Sequence, residues 1–369
     1  MKVALVCDWL TEIGGAEKVL LAVHKIFPDA PIYTSQFRPK TATWFAGMDV
    51  RTGWMNFFPR AARRFIPFIR NIYFKHLDLS EYDLVISIAN AEAKAVKTRS
   101  DAVHISYLQG PPTQYYWGLY DEYIINPGFG KLDWVARLGL KLLVKPLRKA
   151  DYKIAQNPDY LLANSSYVKG EIKKYYGRDA EIMWPNVDVK TIKKIASKTA
   201  DQKRDYYIMT GRQVSWKRAD LAINACIKAN EKLLLIGGGP ENKKLMALAK
   251  GHDNIQFLPR YNGPADIVKY FKKSKAFIFP SIEPFGITPV EAIASGTPVI
   301  AMHAGGALDI IQPNKNGIFF EKQSTESLVA SFKKFNKKKF STKTIIKTAE
   351  KFSDENFEKR FKKFINSVC

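Results

Sequence analysis

Apolar residues in this chain fall into short continuous runs, separated by stretches in which apolar and polar positions alternate with helical spacing. Residues 3–7 form the first run, stopped by Asp8, and Gly14-Gly15 then leads into an amphipathic stretch over 16–26. Residues 84–88, 104–108 and 160–163 read as further buried strands. After Trp184-Pro185-Asn186 the pattern restarts, with strands over 206–210, 232–236, 255–258, 276–280 and 297–301 and helices between them. Strands apolar on both faces and alternating with helices predict parallel sheets covered on both sides. Two such series predict an α/β chain of two doubly wound domains joined near 185–187. Apolar residues at 352, 357, 361 and 364 predict a closing helix, and only the lysine-rich stretch 333–343 reads as disordered.

Composition narrows the class. A chain of 369 residues exceeds one ordinary core and suits two domains, and 46% apolar with 25% charged residues suits a soluble globular protein. Cys7, Cys226 and Cys369 are too far apart to suggest a disulfide framework or a metal knuckle. The first apolar run is too short for a signal peptide, and no other run is long enough to span a bilayer, so the expected location is cytoplasmic. A net charge of +23 points to anionic partners: nucleic acid, an acidic membrane face or phosphorylated ligands.

The densest candidate chemistry lies between the strands over 276–280 and 297–301. Glu283 follows the first of these strands and Glu291 sits in the helix after it, so both carboxylates can face the crevice where open α/β sheets hold ligands. Backbone N–H groups at Phe285, Gly286 and Ile287 would point into the same crevice, an arrangement that suits anions and hydroxyls. Thr288, Pro289 and Glu291 also fit an N-cap, a first-turn proline and a capping-box acid, so Glu291 has a purely structural alternative. Gly211 with Arg212 and Lys217 follows the first strand of the second series, where two cations can hold a diphosphate. Two solvated surface cations would look the same. The Gly14-Gly15 turn and Gly237-Gly238-Gly239 resemble phosphate-binding loops without the full dinucleotide fingerprint, and each is equally explained as a tight turn.

Two basic and aromatic stretches, 54–70 and 131–149, suit helices lying in a membrane interface. Their candidate contacts are Arg60, Arg63, Arg64, Phe65 and Arg70 in the first, and Trp134 and Lys141 in the second. An ordinary core-facing helix with a solvated basic face is the alternative. There is no Asp-x-Asp pair, no His cluster at ligand spacing and no Gly-x-Ser-x-Gly elbow, so neither a metal nor an organic cofactor is expected.

Glu283-Pro284-Phe285-Gly286 with Glu291 eight residues on, Gly211-Arg212 with Lys217, the Gly14-Gly15 loop and Gly296-Thr297-Pro298-Val299 together resemble glycosyltransferase family 4. The overall pattern of the first domain is similar to bacterial O-antigen and exopolysaccharide mannosyltransferases. The resemblance implies a GT-B architecture: two Rossmann-like domains facing each other across a cleft, with the last helix crossing back to the first. It divides the chain into an acceptor-side, membrane-facing domain (1–185), a nucleotide-sugar domain (186–350) and a returning C-terminal helix (351–369). It implies metal-independent, retaining transfer of a hexose from GDP-mannose or a UDP-hexose to a lipid-linked or other glycan acceptor. The partners it implies are an anionic membrane surface at the inner face of the cell membrane, and no nucleic acid. Arg212, Lys217 and Glu283 would be catalytic; Gly14, Gly15, Gln109, Phe285, Gly286, Ile287 and Glu291 would bind the donor.

One departure stands out: Gln109-Gly110-Pro111-Pro112 has glutamine where such enzymes usually carry histidine. Gln109 still donates and accepts hydrogen bonds but carries no proton charge, which implies altered sugar selectivity. Tyr115, Tyr116 and Trp117 downstream could stack on a sugar ring or fill a core. A non-catalytic sugar-nucleotide or glycan-binding relative would keep Glu291. A basic nucleic-acid-binding protein would explain the charge but not the paired carboxylates.

Overall fold

Continuous apolar runs become strands buried on both faces, as in β1 (Val3–Cys7), where Ala4, Leu5 and Val6 are fully excluded from solvent. The computed structural model describes residues 1–59, 67–89, 91–113, 117–118, 120–125, 130–200, 204–259, 261 and 263–369. Arg60, Arg63, Arg64, Phe65, Tyr115 and Tyr116 lie outside the described residues. The chain divides into two compact units, Met1–Trp184 with Glu358–Cys369, and Pro185–Phe357.

In chain order the first unit holds β1, α1 (Gly15–Ile26), β2 (Ile32–Thr34), β3 (Val50–Thr52), α2 (Pro67–His76), β4 (Leu84–Ala89), β5 (Val103–Leu108), α3 (Tyr120–Ile125), α4 (Asp133–Ile154), β6 (Tyr160–Ala163), α5 (Ser166–Tyr176) and β7 (Glu181–Ile182). All seven strands are parallel, in the order β3-β2-β1-β4-β5-β6-β7. The chain runs outward from β1 and then restarts at β4, so the order reverses between these two strands, paired from Val3↔Leu84 to Cys7↔Ile88. Local chemistry sets the helix ends. Before α5 the Ser165 hydroxyl accepts the Val168 N–H, and after it Gly177 takes the left-handed conformation at φ 67°.

The second unit holds α6 (Val189–Lys198), β8 (Tyr206–Thr210), α7 (Ala219–Ala229), β9 (Leu233–Ile236), α8 (Asn242–Leu248), β10 (Ile255–Leu258), α9 (Pro264–Lys273), β11 (Ser274–Phe279), α10 (Ile287–Ala294), β12 (Val299–Met302), α11 (Ala307–Ile310), β13 (Gly317–Phe320), α12 (Thr325–Asn336) and α13 (Thr342–Ala349). Its six parallel strands run β10-β9-β8-β11-β12-β13, reversing between β8 and β11. Tyr207 stacks on Phe332 of α12 at 4.4 Å, which ties that helix to the central strand. The last helix, α14 (Asp354–Val368), carries buried Phe361, Phe364 and Ile365, and Phe364 meets Tyr160 of the first unit edge-on at 5.9 Å.

Two local readings change, and three short strands went unread. The lysine-rich stretch 333–343 is ordered, forming the end of α12, a short connection and the start of α13, because buried Phe335 and Ile345 hold it from both sides. α10 begins at Ile287 with Gly286, at φ 106°, as its N-cap and no side-chain cap. Glu291 therefore lies past the first turn, and the capping-box account of it fails. The strands β2, β3 and β7 are only two or three residues long, too short for a periodic signal.

Candidate functional site

In an open parallel sheet, the loops leaving the two strands that flank the order reversal splay apart and leave a crevice. In the second unit those strands are β8 and β11, and the crevice edge carries residues 211–217 on one side and 281–286 on the other. Gly211, at φ 131°, turns the chain out of β8, and its N–H returns to the Ile236 carbonyl at 3.0 Å. A single 3₁₀ turn over Ser215–Lys217 then presents Lys217, followed by Arg218 in the left-handed region at φ 55°.

Lys217 Nζ donates to Glu283 Oε1 at 2.5 Å, and Ser281 Oγ donates to the same oxygen at 2.8 Å. Both side chains of the ion pair are largely sheltered, at 17% and 12% exposure, so solvent screens them only partly. Lys217 Nζ also lies 4.9 Å from the centre of the Trp216 ring. The loop after β12 fixes the Glu283 backbone, with the Gly306 N–H bonded to the Glu283 carbonyl at 2.8 Å. A Cβ on Gly305 would lie 2.6 Å from the Glu283 carbonyl oxygen, and one on Gly306 would lie 2.3 Å from the Phe285 backbone. Only glycines allow this approach. Phe285 itself is buried and meets Phe352 edge-on at 5.4 Å. The first N–H groups of α10 thus stand behind Gly286 with no side chain capping them.

Arg212 is exposed and forms no ion pair among the described residues. Its neighbour Gln213 is buried; its N–H and Nε2 go to Gly238 and Gly237 carbonyls, which knits the β8 and β9 loops together. Glu291 is half-buried on α10. Sequence reasoning missed Ser281, Gln213 and the Gly305-Gly306 pair. Only the glycine pair, following a buried strand, left a signal.

The first unit has its own reversal, between β1 and β4, and a cavity of about 100 Å³ there is lined by Asp8, Trp9, Glu17, Ile88 and Gln109. Asp8 is spent on structure: its two oxygens accept the Ala91 and Ala93 N–H groups at 3.0 and 2.9 Å. Gly14 caps α1 without a side chain, Gly15 opens the helix, and Glu17 brings a carboxylate into the first turn. A Cβ on Gly14 would lie 3.0 Å from that carboxylate, so the α1 N-terminus already has an anion beside it. Gln109 follows β5, and its Nε2 is buried without a hydrogen-bond partner among the described residues.

Arg70 is not a surface cation. It is buried, donates Nε to Glu92 Oε2 at 2.5 Å and lies 5.0 Å over the Trp9 ring. Burial nonetheless pushes the Glu92 carboxyl above the ordinary carboxylate range, against the pull of Arg70. The interleaving of arginine with apolar residues hid this, because the partner sits 22 residues away.

Trp134 and Lys141 do face solvent. On α4 none of residues 133–143 is buried, and the buried residues of the helix are Val144, Leu147, Asp151 and Ile154. Trp134, Leu138 and Leu142 are 65%, 53% and 69% exposed along one stripe that continues into exposed Lys145 and Lys149. Among the described residues no helix is long and apolar enough to cross a membrane, and no three His, Cys, Asp or Glu side chains are grouped to hold a metal ion.

Residues 190–354, which lie within the second unit, match the family model of glycosyl transferases group 1. An uncharacterized glycosyltransferase of Methanocaldococcus jannaschii is 32% identical over 129 residues, 33% of each chain. A D-inositol 3-phosphate glycosyltransferase of Mycobacterium sp. (strain KMS) is 27% identical over 44% of this chain and 41% of its own. A GDP-mannose-dependent alpha-(1-6)-phosphatidylinositol monomannoside mannosyltransferase of Mycobacterium tuberculosis is 25% identical over 47% and 51%. The matches thus span a third to about half of those relatives' length.

Across its full length the chain shares the fold of the apo lipopolysaccharide outer core galactosyltransferase WaaB, with 100% of both chains covered, a TM-score of 0.70 and 19% identity. HepE of Anabaena, solved with UDP-glucose, gives 0.66 and 16%, again with 100% of both chains covered. The fold is therefore α/β of the GT-B kind, with two Rossmann-like parallel-sheet units.

Proposed function

We propose that this chain is a retaining glycosyltransferase of the family 4 type, moving a hexose such as mannose from a nucleotide sugar to a lipid-linked glycan at the cytoplasmic face of a membrane. The observation that carries the reading is the Lys217–Glu283 contact at the β8/β11 reversal, which sets a cation for phosphate beside a carboxylate for sugar hydroxyls. Relatives named for GDP-mannose and for D-inositol 3-phosphate, and a fold shared with a UDP-glucose complex, support it.

In this reading the donor diphosphate draws on Lys217 Nζ and the Arg212 guanidinium. Glu283, held by Ser281, accepts from a hexose hydroxyl, and Glu291 accepts from the ribose. The N–H groups of Phe285, Gly286 and Ile287 meet sugar and phosphate oxygens. As the bond from the sugar's anomeric carbon to the phosphate oxygen breaks, the two cations offset the charge on the leaving diphosphate without a metal ion in that role. The acceptor oxygen bonds to the same face of that carbon, and its proton passes to the departing phosphate oxygen, which retains the configuration. The acceptor side falls to the first unit, where the exposed stripe of α4 lies on a lipid surface, with Trp134 and Leu138 toward the acyl boundary and Lys141 toward headgroups.

A thermal-shift series with UDP-, GDP- and ADP-hexoses tests the donor claim, since a ligand bound only by the folded state raises the melting point. One sugar nucleotide is expected to shift it. Glu283→Ala and Lys217→Ala are each expected to abolish transfer while leaving the circular dichroism spectrum unchanged; full activity in either overturns the assignment. Gln109 favours one second reading, a sugar-nucleotide-binding relative without turnover, which would show the shift and no transfer.

A further inference from the structure

Between Glu326 and Glu350 the chain carries seven lysines and no acidic residue. Lys333 and Lys334 close α12, Lys337, Lys338 and Lys339 follow it, and Lys343 and Lys347 lie on α13; all seven are exposed. Among the described residues none of them forms an ion pair. Other lysines of the same unit do: Lys228 with Glu326, Lys232 with Asp205 and Lys275 with Glu231. The two flanking carboxylates are already spent, Glu326 on Lys228 and Glu350 on Lys193, and the seven like charges repel one another.

The mount is rigid. Phe332, Phe335 and Ile345 are buried, Phe340 stacks on Phe335 at 5.2 Å, and Ser341 caps α13. Its place in the fold is also fixed. Asn336 bonds Tyr207 near the start of β8, Lys338 bonds Asn314, and Thr348 bonds Asn316, both just before β13. The cluster therefore borders the N-terminal ends of the strands, whereas Lys217 and Glu283 follow C-terminal ends. It is a separate surface from the donor crevice.

We infer that this lysine edge of the second unit docks on an anionic lipid surface. Its ammonium groups are mobile point donors without the planar fork that arginine brings to base edges. Phe332 and Phe335 are buried and half-buried Phe340 stacks on Phe335, so these rings are packed on one another rather than offered to bases. Closely spaced single charges on a firm mount match an array of anionic headgroups instead. Nucleic acid is the competing partner, and the test separates the two.

Full-length protein is sedimented with phosphatidylcholine vesicles, with and without phosphatidylglycerol, at low and high salt. The variant replaces four lysines together: Lys334→Gln, Lys337→Gln, Lys339→Gln and Lys343→Gln. At low salt its affinity for anionic vesicles is expected to drop by about fivefold per lysine removed. The difference from wild type should shrink as salt screens the charges. A companion change, Trp134→Ser with Leu138→Ser, should leave that salt-sensitive component intact. Both proteins should keep the wild-type donor thermal shift; loss of that shift in wild type would sink the proposed activity but not this surface. If the fourfold change lowers the melting point, the single exposed substitution Lys337→Glu gives the same reading. Unchanged vesicle binding overturns the inference, as does tighter binding to duplex DNA or single-stranded RNA than to anionic vesicles at equal salt.

Discussion

His104 opens the way to a quantitative acid-stability experiment. It sits on β5, 1% exposed, with Nε2 bonded to Ser87 Oγ at 3.1 Å and Nδ1 without a partner among the described residues. Burial lowers its pKa from 6.5 to about 4; the Asp159 carboxylate opposes that shift and Arg178 adds to it. As pH falls below 6.5 the unfolded chain takes up a proton that the folded chain refuses until about pH 4. Stability is therefore fully present above 6.5 and declines across that window. A fall from 6.5 to about 4 corresponds to about 3 kcal/mol lost by pH 4. The assay is urea unfolding of the first unit at pH 7.5 and near pH 4.5, in wild type and in His104→Gln, which keeps a hydrogen bond to Ser87 but does not titrate. The variant should lose about 2 kcal/mol less than wild type on acidification. Equal losses in the two proteins would refute the burial argument, because the remaining acid sensitivity then belongs to carboxylates.

Three further changes probe other parts of the molecule. Gly306→Ala puts a Cβ 2.3 Å from the Phe285 backbone; it should cost about 1–3 kcal/mol in urea unfolding of the second unit and shrink any donor-induced thermal shift. Arg218 holds a left-handed φ of 55° just after Lys217, so Arg218→Gly should leave the melting point and transfer rate near wild type, while Arg218→Val should destabilise by about 1–2 kcal/mol. Arg70→Met strands the buried Glu92 carboxyl, a change expected to cost about 3 kcal/mol at neutral pH and less on acidification, read by urea midpoints at two pH values.

What was legible depended on whether a residue's role follows from its neighbours in the chain. The long strands, and the loops that carry Lys217 and Glu283, follow from runs of apolar residues punctuated by glycine. The contact between those two side chains joins positions 66 residues apart, and only the strand order brings them together. Arg70 was misread for the same reason, since a cation among apolar residues faces solvent or a buried acid depending on a distant segment. Glu291 shows a finer limit: moving a helix start from Thr288 back to Gly286 removes a capping role without changing any residue. The β13 run Gly-Ile-Phe-Phe was readable and overlooked, whereas β7, two residues long, had too little pattern to read.

The lopsided anchoring of α4 has a kinetic meaning. Its inner turns are held by the buried Val144, Leu147, Asp151 and Ile154, while none of the eleven residues of 133–143 is buried and their tie to the neighbouring segment runs through Arg137, whose Nε donates to the Ile124 carbonyl at 2.8 Å. Pro146 has no N–H for the Leu142 carbonyl, so the ladder is thinnest where the two halves join. A free helical segment that short is marginal in water. In amide exchange, α4 should therefore behave as two cooperative units, with the inner half opening alongside the first unit and the outer half exchanging orders of magnitude sooner. Contact with a surface would then be recorded as slowed exchange in 133–143 alone, so this stretch of helix carries its own gauge of whether it has landed.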